Sequence, residues 1–220
     1  MLLSQKAPNF LDAALEWRRI FAEAWGTFLL VMVAAGAGVV NAKSGGAVTM
    51  AFAMRGNFPW RRVPGYIFAQ MFGGIAAALF LKTLFGTIGA LGATLPGTRV
   101  GNFTALGLET VLTAGLVNTI LGTASGARNI GSNGAIAVGG YIALAGLWAA
   151  PITGASMNPI RSFAPDLVRG DLSTTWIYII GPLLGAFIGV GFEWILKGKA
   201  TTSGAIAAQG TLLDDSTPVK

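Results

Sequence analysis

The chain has 220 residues, of which 53% are hydrophobic and 11% charged, and its mean hydropathy is +0.65. A soluble domain of this size carries about twice that charge, so the excess apolar surface calls for lipid or for very large interfaces. Cysteine and histidine are absent, which excludes disulfides, thiolate metal sites and the usual general base, while the net charge of +6 sits at the ends of apolar runs and not on a nucleic-acid-binding face.

In chain order, residues 1–19 form a polar segment of mixed charge, read as cytoplasmic or interfacial. Arg18-Arg19 ahead of an apolar run has the form of a twin-arginine export signal, but Glu23 within the run argues against export. A first span is expected over Phe21–Val40. Asn41-Ala-Lys-Ser-Gly-Gly46 then leads into a short apolar stretch, Ala47–Arg55. Further spans are expected at Val63–Phe85, Phe103–Ala124, Gly134–Pro151 and Thr174–Leu196, each near the ~20 residues a bilayer requires. Gly181, Gly185 and Gly189 give the last span a small-residue face suited to close helix packing. Residues 199–220 read as a disordered polar tail.

Before the last span, Thr153-Gly-Ala-Ser-Met-Asn158-Pro159-Ile160-Arg161-Ser162 opens a stretch too short to cross, which fits a re-entrant half-helix. Asn158 suits its N-cap and Pro159 its first turn, where the missing N–H is no loss. Such a half-helix starts near the bilayer midplane and aims positive partial charge into a pore, which disfavours cations. Asn158 then offers side-chain N–H groups to a passing oxygen, and Arg161 adds a fixed charge one turn on. Taken alone, the same dipeptide is an ordinary Asn-Pro turn beside a surface arginine.

The chain also repeats itself. Glu23-x-x-x-Thr27 followed by Leu30-Val31 matches Glu109-x-x-x-Thr113 followed by Leu116-Val117, and Tyr66 to Gly73 matches Tyr178 to Gly185. From Glu109 to Gly185 is 76 residues, but from Glu23 to Gly73 only 50. The first half is short by about one helix and its connection, so its middle span is expected to be missing.

Gly-Ala-Ser-Met-Asn158-Pro-Ile-Arg161-Ser resembles the second asparagine-proline-alanine motif of the aquaporin and glycerol-facilitator family. Pro64-Gly-Tyr-Ile-x-Ala-Gln70 is similar to that family's third span and Trp176-Ile-Tyr-x-x-Gly-Pro-Leu-Leu-Gly185 to its sixth, and the likeness, to bacterial members, runs from Phe21 to Leu196. The resemblance implies an all-α membrane protein, an aquaporin-like inverted repeat of transmembrane helices with two re-entrant half-helices. Here the first half is one span short, leaving five spans. A single channel domain is then expected over 20–198, with a truncated first half at 20–86 and a complete second half at 103–197. The implied function is a passive pore for water or small neutral solutes such as glycerol. It would have no enzymatic step, cofactor, metal or nucleic-acid partner. One pore per subunit in a homotetramer of the plasma or inner membrane is implied.

By the same resemblance the constriction is lined by Arg161, Gly146 and Ala155, together with an aromatic residue of the second span that has no counterpart here. The half-helices are expected to begin at Ala47, Val48 and Thr49 in the first half and at Ile160 in the second, where isoleucine adds bulk near the constriction. Gly45-Gly46 replaces the first asparagine-proline pair and brings no side-chain donor. Glu23 and Glu109 are read as buried structural acids that bind backbone near the half-helices, an ion pathway being the functional alternative. Five spans would put the termini on opposite sides. The basic residues of both ends nevertheless ask for the same side by the positive-inside rule, so the first span is expected either to invert or not to cross fully. Two functional readings follow: a conducting channel, and a non-conducting truncated member or partner-dependent membrane subunit.

Overall fold

In hydrocarbon every backbone polar group must be satisfied within its own segment, so apolar runs of this length become helices. The computed structural model describes residues 16–34, 45–124 and 133–200. Within them seven α-helices follow one another: α1 (Glu16–Ala34), α2 (Gly46–Arg55), α3 (Val63–Phe85), α4 (Asn102–Ala124), α5 (Asn133–Thr153), α6 (Pro159–Arg169) and α7 (Thr175–Lys197). Among the described residues four helical stretches are long and apolar enough to cross a membrane: Trp60–Phe85, Asn102–Thr123, Gly134–Thr153 and Thr175–Lys197. They coincide with four of the five expected spans. α1 starts at Glu16, ahead of the expected Phe21, and its charges at Glu16, Arg18, Arg19 and Glu23 dilute its apolar character. The last part of the expected Phe21–Val40 lies outside the described residues, as do residues 1–15 and 201–220 of the two expected polar ends. α2 and α6 have 10 and 11 residues, roughly 15 Å of helix and about half a bilayer.

The helices pair in parallel. α1 lies along α3, with Glu16 against Arg62 at one end, Ala24 at Gly73, and the Phe28 and Phe80 rings 6.2 Å apart towards the other. α4 lies along α7 in the same sense, Glu109 at Gly181, Thr110 at Gly185 and Val117 at Gly189. Backbones touch at these glycines: a Cβ on Gly73 would sit 1.9 Å from the Ala24 carbonyl oxygen, and one on Gly185 would sit 2.4 Å from that of Thr110. The sequence match of Glu23 with Glu109 and Gly73 with Gly185 is therefore a match of two equivalent helix crossings. Small residues are what such approaches require where lipid offers no hydrophobic drive for association. α5 runs antiparallel to α4, with Tyr141 Oη donating to the Leu112 carbonyl at 2.9 Å.

Each half-helix is packed against the other half of the chain. Ala47 and Ala51 of α2 join Val117, Leu121, Ala186 and Val190 in one buried cluster. Ile160 and Ala164 of α6 meet Gly74 of α3, beside Val31 of α1. Ala51 against Ala186 and Val117 is thus mirrored by Ala164 against Gly74 and Val31. Both half-helices end the same way, on a glycine in the left-handed region: Arg55-Gly56-Asn57 with φ 86°, and Arg169-Gly170-Asp171 with φ 82°. In each, the N–H beyond the glycine returns to a carbonyl five residues back, Asn57 to Phe52 and Asp171 to Asp166, which satisfies the helix end.

Two further contacts give the directions of the half-helices. Arg55 Nη1 donates to the Gly198 carbonyl at 2.6 Å, which puts the end of α2 at the end of α7. Lys82 Nζ donates to the Val168 carbonyl at 2.9 Å, which puts the end of α6 on the opposite face. α1 and α3 therefore lead away from one face, and α2 leads back to it. α2 thus runs from the middle to the face where α1 starts, and residues 35–44, which join the two helices, lie outside the described residues. Arg18, Arg19, Arg55, Arg61, Arg62 and Lys197 all gather on one face; Lys6, Lys43 and Arg128 lie outside the described residues.

Candidate pore site

The loop before α6 is held in an unusual shape by one buried acid. Gly154, Ala155 and Met157 have φ of 84°, 46° and 52°, and for a non-glycine residue the left-handed region costs roughly 1–2 kcal/mol. Gly154 has room for no side chain, since a Cβ there would lie 2.9 Å from Thr94 Cγ2. Glu109, fully buried, offsets the strain by accepting three hydrogen bonds. Its Oε1 takes those of Thr153 Oγ1 (2.8 Å) and Ser156 N–H (2.9 Å), and its Oε2 that of Met157 N–H (2.8 Å). Tyr178 Oη donates to the Thr153 carbonyl at 2.7 Å, tying the same loop to α7.

This loop delivers Asn158 to the N-cap of α6. Asn158 Oδ1 accepts from Ile160 N–H at 3.0 Å, and Pro159 occupies the first helical position. Ser156 Oγ donates to the Asn158 carbonyl at 2.9 Å and shares a hydrogen bond with Ser162 Oγ at 2.5 Å. Ser162 Oγ in turn pairs with Thr94 Oγ1. One turn on, Arg161 Nη1 donates to the Gly92 carbonyl at 2.9 Å.

Gly92 belongs to the connection between α3 and α4. Gly89, Ala90 and Leu91 there form a left-handed turn, with φ between 51° and 59°, and Leu91 is buried. Gly97 N–H donates to the Ile152 carbonyl at 2.8 Å, pinning the connection beside the Asn158 loop. On the far side of α6, Arg169 pairs with Asp166 and Asp171. Hydrogen bonds from Ser173 hold the exposed Asp171 carboxyl below the usual range.

α2 brings its own N-terminus to the same place. Its N-cap is Gly45, extended and with no side-chain hydrogen bond. A Cβ added to Gly45 would lie 2.9 Å from Asn158 Nδ2, so the two N-caps face each other across the molecule's middle. α2 begins at Gly46, one residue before the expected Ala47. Ala47 packs on α7, Val48 enters the cluster of Leu112, Leu116, Ala149 and Met157, and Thr49 Oγ1 accepts from Gln70 Nε2 at 3.0 Å. Gln70 Nε2 also donates to Glu23 Oε2 at 2.8 Å. Glu23, half-buried, thus reaches α2 through Gln70, where Glu109 reaches its loop directly. Ile160 is buried between Gly46 of α2 and Gly74 of α3. Ala155 packs beside the Val48 and Met157 cluster, and Gly146, on α5, looks onto open space. The structure brings Asn158, Pro159, Ile160, Gly45 and Gly46 together and fixes Arg161 beside them.

The model of the family described as Major intrinsic protein matches residues 14–192. The chain belongs to the major intrinsic protein family. Aquaporin NIP1-4 of Oryza sativa subsp. japonica is 42% identical over 169 residues, covering 76% of this chain and 61% of its own length. Aquaporin NIP1-1 of Zea mays is 42% identical over 167 residues, covering 75% of this chain and 58% of its own. Aquaporin NIP6-1 of Arabidopsis thaliana is 32% identical over 213 residues, covering 82% and 69%. The chain spans about three-fifths of the length of the first two. Among solved structures, the aquaglyceroporin from Plasmodium falciparum superposes with a TM-score of 0.68 at 19% identity, over 80% of this chain and 95% of that one. At that identity the likeness shows the fold, which is the aquaporin-like all-helical membrane fold. Membership of the major intrinsic protein family and four apolar helices make this a multi-pass membrane protein.

Several residues of the site carry no signal in the resemblance-based reading. Gly92 and Thr94 act through a connection whose only sequence mark is the glycine spacing of Gly86, Gly89 and Gly92. Gln70 stands in the third-span motif, but its link between Glu23 and Thr49 appears only in three dimensions. The matched endings Arg55-Gly56-Asn57 and Arg169-Gly170-Asp171 were legible as a further piece of the repeat.

Proposed function

We propose that this chain forms a passive transmembrane pore for water and small neutral solutes such as glycerol. The observation that carries the proposal is the meeting of two half-helix N-termini, at Gly45 and Asn158, in the middle of a family fold. Each helix end presents roughly half a positive charge. Two such ends and the Arg161 guanidinium repel cations, while a neutral molecule's oxygen accepts hydrogen bonds from Asn158 and Arg161. The small residues Gly146 and Ala155 leave a wide passage, which favours solutes over strict selection of water. No step breaks a covalent bond, so the chain acts as a channel without catalysis or cofactor. The names of the relatives, aquaporins and an aquaglyceroporin, support the same permeants.

The basic face is the cytoplasmic one, the subunits assemble as a homotetramer in the lipid bilayer, and the location is the plasma or inner membrane. Domain limits of 20–198 enclose the whole pore, and Glu109 and Glu23 serve as struts for the half-helices.

The test compares proteoliposomes of the unaltered chain with Asn158→Ala and Arg161→Ala in stopped-flow light scattering under an inward glycerol gradient. Both variants should change glycerol flux by at least threefold, and Arg161→Ala should also admit small cations. Flux identical in all three, at equal insertion, would remove these residues from the pathway.

A further inference from the structure

The ends of α1 and α3 on the basic face carry a polar feature that the pore does not use. Because the two helices run parallel, Glu16, Arg18 and Arg19 come beside Trp60, Arg61 and Arg62. Glu16 Oε2 is shared between Arg19 Nη1 at 3.1 Å and Arg62 Nη2 at 3.2 Å, so the one carboxylate is committed to two guanidiniums. Arg18 lies over the Trp17 ring, 5.4 Å from its centroid. Arg61 is exposed and has no ion-pair partner among the described residues. Between these groups opens a cavity of about 430 Å³ lined by Glu16, Ile20, Arg61, Arg62, Gly65 and Tyr66.

The rim of that cavity is cationic, and its wall turns apolar at Ile20. Just beyond, along the same helices, Phe21 is 62% exposed and Phe68 71%. Trp17 and Trp60, 64% and 54% exposed, stand beside the cavity; tryptophan concentrates where membrane meets water. The feature therefore joins excess positive charge, an open cleft whose volume is within the range of small-molecule sites, and an apolar descent into the bilayer.

We propose that this cavity binds the phosphate-bearing headgroup of an anionic phospholipid from the leaflet on the basic face. Arg61 and Arg62 donate to the phosphate oxygens, as guanidinium forks do. Glu16 holds Arg62 and Arg19 in place from behind, and Arg18, resting on Trp17, adds charge at the rim. The acyl chains run down along Ile20, Phe21 and Phe68, which is what distinguishes a lipid from a free phosphate ion here. The site seats a lipid in the cleft between α1 and α3, the half of the molecule with fewest helices, and it does so whether or not the pore conducts.

The test uses the full chain in neutral detergent micelles, titrated with phosphatidylglycerol or phosphatidylcholine, with the thermal unfolding midpoint as readout. Phosphatidylglycerol should give a saturable rise and phosphatidylcholine none at equal concentration. Arg61→Ala and Arg18→Ala should each weaken the apparent affinity roughly fivefold, the worth of one cation near an anionic headgroup. Lys199→Ala, an equal charge loss on the same face, should leave it unchanged. Equal effects of the two lipids would overturn the proposal without need of any variant. It would also fall if Lys199→Ala weakened binding as much as Arg61→Ala, or if inorganic phosphate alone saturated the same rise.

Discussion

Glu23 and Glu109 occupy matched places in the two halves but hold unequal numbers of partners. Glu109 accepts from Thr153, Ser156 and Met157, whereas Glu23 accepts from Gln70, which keeps Thr49 as a second partner. Glu109→Ala abandons three donors in the interior and should cost about 3 kcal/mol or more, while Glu23→Ala should cost about 1 kcal/mol. Reversible unfolding in mixed micelles measures both, and equal losses would contradict the assignment of Glu109 as the strut of the Asn158 loop. Gly73→Ala and Gly185→Ala push a methyl into the carbonyls of Ala24 and Thr110 and should each cost roughly 1–3 kcal/mol in the same assay. These four residues were legible in the sequence because each pair meets in one helix crossing, which fixes both partners and so leaves a repeat. Gly92 was not, because it acts through a backbone carbonyl, which any residue type possesses.

Among the elements, the half-helices show what side chains can and cannot announce. α6 declares itself by Asn158 and Pro159, a cap and a first-turn residue whose chemistry is local. α2 has Gly45 in the capping place, and its start at Gly46 was misplaced by one residue because glycine gives no capping signal of its own. Its identity rests instead on Ala47 and Ala51 fitting α7 and on the Arg55-Gly56 end. The closeness of the two N-caps leads to a further expectation. Gly45→Ala should displace the Asn158 amide, since the new Cβ would lie 2.9 Å from Nδ2. Glycerol flux in proteoliposomes should fall at least twofold while helix content by circular dichroism stays constant. Undiminished flux would mean that the Asn158 amide does not face the permeant. The connection between α3 and α4 escaped the sequence reading altogether: its left-handed turn at Gly89–Gly92 is fixed by the contacts of Arg161, Ser162 and Ile152, all of them distant in the chain.

At the scale of the whole molecule, the decisive point is the path of the first half. Counting spans gives an odd number and a conflict of charge, since the basic residues of both ends ask for the same side. α1 starts, and α2 and α7 end, on the same face, which brings Arg18, Arg55 and Lys197 together there. The chain contains no cysteine, so single thiols can report this arrangement. Arg18→Cys and Lys199→Cys should react with a membrane-impermeant maleimide from one side of sealed vesicles, and Ser173→Cys from the other. Labelling of Arg18→Cys and Lys199→Cys from opposite sides would contradict their shared face.

Among the described residues α1 packs on α3 and more lightly on α6, with no helix standing beside it as α5 stands beside α4. Whether a pore bounded in this way conducts is the claim on which the functional account rests. Stopped-flow light scattering on proteoliposomes of the unaltered protein tests it most directly, with an osmotic shock by an impermeant solute in one sample and an inward glycerol gradient in another. Volume changes well above those of empty vesicles, with a low activation energy, are the predicted result. Rates equal to empty vesicles, with the protein shown to be inserted, would contradict it.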